Sequence, residues 1–142
     1  VRDDDTMPLK AKGPVRPPPR LEGPAGRVAA AVAAWPGVIA AAHWHRNRRR
    51  EVDGVDHYVG EAELGHLHLD GELHLATTRR LRERLVARGL ARPFRWYPSW
   101  VDAPIRSEAD ADRALWLLEL NDRRLCGVAE DERIDEIDRS TR

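Results

Sequence analysis

An α+β fold, with an antiparallel sheet of about five strands backed on one face by three helices, is predicted for this 142-residue chain by three observations. Apolar and polar residues alternate from Leu64 to Asp70 and from Glu72 to Leu75, the period of half-buried strands. Three other stretches place apolar residues three and four apart, the period of an amphipathic helix. Short turn signals join most neighbouring strands, which favours antiparallel pairing with the helices on one face. The expected order is α-β-β-β-β-α-β-α, with no internal repeat.

Residues 1–24 read as a disordered, proline-rich tail. Pro8, Pro14, Pro17, Pro18, Pro19 and Pro24 sit among charges with no apolar period. Such a segment buries too little surface to offset its ordering entropy. The single folded domain is expected over 25–127. Its first helix, about 26–35, carries Val28, Val32 and Trp35 on one stripe, and Pro36-Gly37 stops it. Strand one, about 38–46, puts His43 and His45 on one side and Ala40, Ala42 and Trp44 on the other. Strand two, about 55–60, follows the polar connection 47–54.

The next two strands form a hairpin around Asp70-Gly71. Gly accepts positive φ and Asp tolerates it, so the pair signals a turn. A two-residue loop would oppose leucines to polar residues. A three-residue loop over 70–72 pairs Leu69 with Leu73, Leu67 with Leu75 and His68 with His74. That register gives one leucine face and one histidine face, with a type I turn and a bulge near Gly71.

The second helix, about 78–88, is capped by Thr77 or Thr78 and buries Leu81 and Leu85. Strand five, about 100–106, alternates Val101, Ala103 and Ile105 with Trp100, Asp102 and Pro104. Pro104 removes a ladder donor and suits an edge. The third helix opens on Ser107-Glu108-Ala109-Asp110, similar to a capping box. Residues 128–142 read as a charged tail, mostly disordered, or a loose helix over 131–138.

Composition narrows function by exclusion. The 24 basic and 24 acidic residues cancel, so overall charge argues for neither nucleic acid nor membrane. The single cysteine, Cys126, excludes an internal disulfide and a multi-cysteine zinc site, and suits a reduced, cytoplasmic protein. There is no apolar run of membrane-spanning length and no h-region of a signal peptide. No glycine-rich phosphate loop for a flavin or nucleotide is present, and none of the three serines sits in a nucleophile elbow.

Three sets of residues stand out. His66, His68 and His74 share the open face of the hairpin, and His43 and His45 join them if strand one lies alongside. Neutral histidines in that number suit Zn²⁺, with an open position for water. Arg48, Arg49 and Arg50 in the first connection, with Arg79 and Arg80 on the second helix, are candidate contacts for nucleic acid or another anion. The run 79–95 holds seven arginines and one acid. Opposing this, the acids of 130–138 could fold onto that helix as an intramolecular or homodimer contact. Trp44, Trp96 and Trp100 are candidate pocket aromatics for a small ligand or a protein partner.

Residues Gly65–Gly71, Thr78–Gly89, Trp100-Val101 and Ile105–Asp110 in order, with Trp35–Val38 before them, resemble a family of small bacterial proteins carrying a "luciferase domain". The resemblance spans about 26–125. It implies no established activity and no catalytic residue. The chain is too short for the (β/α)₈ barrel of flavin-dependent luciferases, about 250 residues. A small binding or interaction module is therefore expected, with a histidine metal site or an arginine nucleic-acid surface as alternatives.

Overall fold

Alternation along the hairpin builds a two-faced sheet in the computed structural model, which describes residues 7–48 and 50–140. The strands are β1 (Val38–Trp44), β2 (Val52–Val59), β3 (Ala62–His68), β4 (Glu72–Leu75), β5 (Arg92–Pro93) and β6 (Val101–Pro104). They form one six-stranded sheet, order β1-β2-β3-β4-β6-β5, with every pair antiparallel. The helices are α1 (Gly23–Ala33), α2 (Arg79–Ala87), α3 (Glu108–Leu125) and α4 (Glu130–Ser140). The α+β class holds, with one more strand and one more helix than the sequence predicts.

Two rows of cross-strand neighbours divide the sheet. Ala42, Val55, Leu67, Leu73 and Ala103 lie opposite one another on the helix side. Leu67 and Leu73 are fully buried there with Val28 and Val32 of α1, Leu81 and Leu85 of α2, and Leu117 and Leu118 of α3. The adjacent row, Ala41, Asp56, His66, His74, Asp102 and Arg92, crosses all six strands on the open face.

The hairpin register differs from the expected one by two residues. Leu67 pairs with Leu73, and His66 with His74. Because the shift is even, the faces are as expected, while the last ladder pair becomes Leu67–Leu73 and the turn between the strands moves to residues 69–71. Gly71 N donates to His68 O, and Gly71 adopts φ 92°, the left-handed conformation that suits glycine. Leu69 falls in this loop and is 55% exposed, not buried with the other leucines.

A bulge shapes β3. His57 of β2 faces Gly65, but Tyr58 faces Glu63, so Leu64 is the extra residue. The bulge brings Glu63 to the open face and sends Leu64 into the core. Asn121 of α3 supports it, donating to Leu64 O at 3.0 Å and Ala76 O at 2.9 Å. Bulges bend a strand and increase its twist.

Both expected tails contain ordered structure. Residues 7–24 cross the open face and edge: Leu9–Lys12 is a 3₁₀ turn, Tyr58 Oη donates to Met7 O, Trp44 Nε1 to Pro14 O, and Ala42 N to Arg16 O. The segment lacks an apolar period because hydrogen bonds and Lys12 anchor it. Residues 1–6 lie outside the described residues. At the other end, Ile134 and Ile137 bury one face of α4 in the core. Its acids meet the arginines of α2: Arg80 with Asp131, and Arg84 and Arg88 with Asp138. Among the described residues, no helix is long and apolar enough to cross a membrane.

The caps follow the sequence. Thr78 Oγ1 accepts from Leu81 N, and Ser107 Oγ from Asp110 N. Pro104 lies past the end of the two-residue β5, which pairs only with Val101 and Asp102.

The register predicts unequal leucines. Leu67→Ala is expected to lower stability by about 2–5 kcal/mol, and Leu69→Ala by less than about 0.5 kcal/mol, in urea unfolding. Equal losses would restore the expected loop over 70–72. His57 gives a pH dependence. It faces the helices, its Nε2 donates to Ala29 O at 3.2 Å, and its buried Nδ1 has no partner. Burial pushes its pKa below 6.5. The unfolded chain therefore binds the proton more readily, and this contribution to stability is present above pH 6.5 and lost as pH falls. His57→Leu should lose less stability than the parent between about pH 7 and 5.

Candidate metal centre

Four imidazoles from strands β1, β3 and β4 converge on the open face. His66 is the hub. Its ring stacks on His43 at 4.0 Å and meets His68 and His74 edge-on, each at 5.0 Å. Trp100 lies against it at 5.4 Å, and Phe94 against His74 at 4.3 Å. Gly54 stands in register between His43 and His68. A Cβ there would meet Leu67 O at 2.2 Å, so a side chain is excluded and the two rings approach to 5.2 Å.

Each imidazole has its own carboxylate. His43 Nδ1 lies 2.7 Å from Asp56, and His66 Nδ1 lies 2.8 Å from Glu63. More loosely, His68 Nδ1 is 3.4 Å from Asp53 and His74 Nε2 is 3.6 Å from Asp102. An ionised carboxylate only accepts, so the nitrogen facing it carries the proton. The second nitrogen of His66 and of His68 is then a lone pair, while His43 Nε2 lies 3.6 Å from Asp53, the carboxylate it shares with His68. Both point at the same nitrogen: His74 Nδ1 is 3.1 Å from His66 Nε2 and from His68 Nε2, so at most one of the two can receive a proton from it. His43, His66 and His68 can likewise offer one atom each, all within 4.8 Å of one another.

The electrostatics favour neutral rings at His66 and His74. Burial, then the neighbouring His43, Lys12, His68 and His74, holds the His66 pKa well below 6.5. Burial, followed by His68, lowers that of His74 to about 4. For Asp53, burial opposes ionisation, but the hydrogen bond from His68 and the charges of His43, His68 and His45 lower its pKa overall. The acids are only partly compensated. Lys12 Nζ reaches Asp56 at 3.0 Å and Glu63 at 2.8 Å, and Arg92 reaches Asp102 at 2.6 Å. Four carboxylates against these two cations leave two negative charges. Asp53 Oδ1, Asp56 Oδ2 and Asp102 Oδ1 are buried without a hydrogen-bond partner.

The sequence places His43, His66, His68 and His74 correctly on one face, but His45 lies elsewhere. The β1 ladder breaks between His43 and Trp44, and His45 Nδ1 accepts from Asn47 N and Arg48 N to cap the turn. The three tryptophans occupy different surroundings. Trp100 is buried beside His66, Trp96 is 57% exposed, and Trp44 holds the N-terminal segment. Of the arginines, Arg48 pairs with Glu51 and Arg80 with Asp131, Arg50 is exposed, and Arg79 begins α2. Arg49 lies outside the described residues. Sequence reasoning missed the acids and Lys12. Asp56 and Asp102 alternate with core residues, a usable signal. Glu63 is three residues from His66 and joins it only through the bulge.

Fold and site together define an α+β protein with a histidine–carboxylate cluster on the open face of an antiparallel sheet. Residues 61–121 match the family model described as Luciferase domain. The matched segment carries His66, His68 and His74, while His43 precedes it. No curated protein and no solved structure matches the chain.

Lys12 gives this site a stability test. Lys12→Met leaves Asp56 and Glu63 buried without their cation, and should cost about 3 kcal/mol in urea unfolding of metal-free protein. A change below about 0.5 kcal/mol would place the ammonium in solvent instead.

Proposed function

We propose that this protein holds one divalent transition-metal ion on the open face of its sheet, with His66 and His68 as central ligands and His43 and His74 completing the set. The carrying observation is the inward-facing set of ring lone pairs, each ring backed by a carboxylate. Lone pairs 3.1 Å apart repel unless a cation or proton lies between them. Two nitrogens on a tetrahedral Zn²⁺, with bonds of about 2.0–2.1 Å, stand about 3.3 Å apart, close to that spacing. Metal-bound histidines typically give their other N–H to a carboxylate or carbonyl, which fixes the tautomer.

Three groups of histidines and acids have metal-like spacing among the described residues. The Asp56–Glu63–His66 group already holds the Lys12 ammonium. In the Glu72–His74–Asp102 group, the acids hold Arg92 and Arg106. Only His43–His66–His68 has no protein cation bonded among its ligands, and a divalent ion there would offset the two residual negative charges. All-imidazole coordination suits Zn²⁺, Cu²⁺, Fe²⁺ or Ni²⁺. Such an ion supplies Lewis acidity and a lowered pKa for bound water. Phe94 and Trp100 exclude water on one side, while His68 and Asp53, 23% and 21% exposed, mark the accessible side. This supports chemistry on, or capture of, a small molecule.

A nucleic-acid role draws less support, because acids of α4 pair with Arg80, Arg84 and Arg88.

Elemental analysis of the untagged chain, exposed to Zn²⁺ and then desalted, should give about one metal per chain, and EDTA should lower its melting temperature. His66→Ala and His68→Ala should abolish retention, whereas His45→Ala should retain metal. Asp56→Asn should weaken affinity about 10–100-fold by releasing the His43 ring. Folded protein that retains no metal would end this reading.

A further inference from the structure

Beyond the cluster, loops from opposite edges of the sheet meet. Strands β1 and β5 are the two edges of the six-stranded sheet. Laid flat, these edges would be about 24 Å apart, at about 4.8 Å per strand. Yet Arg46, two residues past β1, places its guanidinium 5.3 Å from the ring of Trp96, three residues past β5. Arg95 lies over the same ring at 4.8 Å. The loops beyond the two edges therefore meet, and Arg46, Arg95 and Trp96 form a rim beside the imidazole floor of the open face.

This rim has the composition of a ligand site. Trp96 is 57% exposed, although the nearby Phe94 and Trp100 are buried. Among the described residues, neither Arg46 nor Arg95 has a carboxylate partner, while Arg92 and Arg106 on the same side of the sheet are committed to Glu72 and Asp102. Two guanidiniums stacked on one indole ring keep their N–H donors available for an anion. Next to Trp96 in the chain, Tyr97 begins an aromatic path inward: Tyr97 lies 5.6 Å from Phe94, and Phe94 lies 4.3 Å from His74. The chain thus carries this aromatic path from the floor to the charged rim.

We infer that this rim binds a small organic anion, a carboxylate or phosphate group joined to a flat apolar body. The anionic end is held by Arg46 and Arg95, and the apolar body lies along Trp96, Tyr97 and Phe94. The opposite end reaches the imidazoles. The inference rests on the proposed metal centre only for what happens at that inner end, since the rim binds through its own residues. Arg46 follows His43 by three residues in the same chain segment, so one segment supplies both a floor ligand and a rim cation.

The test uses isothermal titration calorimetry on the full chain, with 3-phenylpropionate and phenyl phosphate as probes and 3-phenylpropanamide as the uncharged control. Binding of at least one anion is expected, at least about tenfold tighter than the amide. The double variant Arg46→Gln/Arg95→Gln should weaken it about tenfold or more while circular dichroism and metal content stay unchanged, and Trp96→Ala should weaken both anion and amide. Failure of both anions to bind, equal affinity for the amide, or unchanged binding by the double variant would overturn the inference. The two proposals fail separately. Anion binding by protein that takes up no metal keeps the rim and discards the centre, whereas metal uptake without anion binding does the reverse.

Discussion

The two-residue period of β3 and β4 is the constraint on which this structure depends. Leu67 and Leu73 are drawn under the helices, and that burial turns His66, His68 and His74 the other way. Leucine burial is worth about 1.5–3 kcal/mol per side chain, while a histidine cluster gathered without metal gains little by itself. The core therefore assembles the site, and the imidazoles come together as a by-product of packing on the opposite face.

Electrostatics then decides what the assembled face can tolerate. Asp56 and Glu63 are almost completely buried, and buried carboxylates need partners of opposite charge. The fold meets this need from distant parts of the chain: Lys12 from the N-terminal segment and Arg92 from beyond α2. Local residues do not complete the compensation, and the remaining deficit is concentrated beside the ring lone pairs. The proposed divalent ion would meet both problems at one point, the excess negative charge and the crowding of the nitrogens.

Much of this was legible in the sequence because parity survives errors of register. The expected and observed hairpin pairings differ by two residues, an even number, so each histidine remains on its predicted face. Leu69 was lost to the loop by that same shift. Glu63 was not legible, since its spacing from His66 places it on the wrong side until Leu64 bulges out. Nor was Lys12, whose partners are more than forty residues away and whose surroundings read as unfolded. His45 failed for a local reason: strict alternation ends with the break after His43, and the ring turns to cap a loop. Helix α4 was underestimated because two isoleucines among many charges make a faint stripe, although both are buried.

The N-terminal segment has one more effect, on the behaviour of the sheet toward other copies of the chain. Strand β1 is an edge, and an open edge presents hydrogen-bonding groups that invite a foreign strand. Here Arg16 O already accepts from Ala42 N, and the prolines that follow Arg16 have no N–H to offer. At the far side, β5 is only two residues long and contains Pro93. The sheet thus ends in a capped border on one side and a blunted one on the other, which guards a histidine-rich surface against strand-to-strand aggregation.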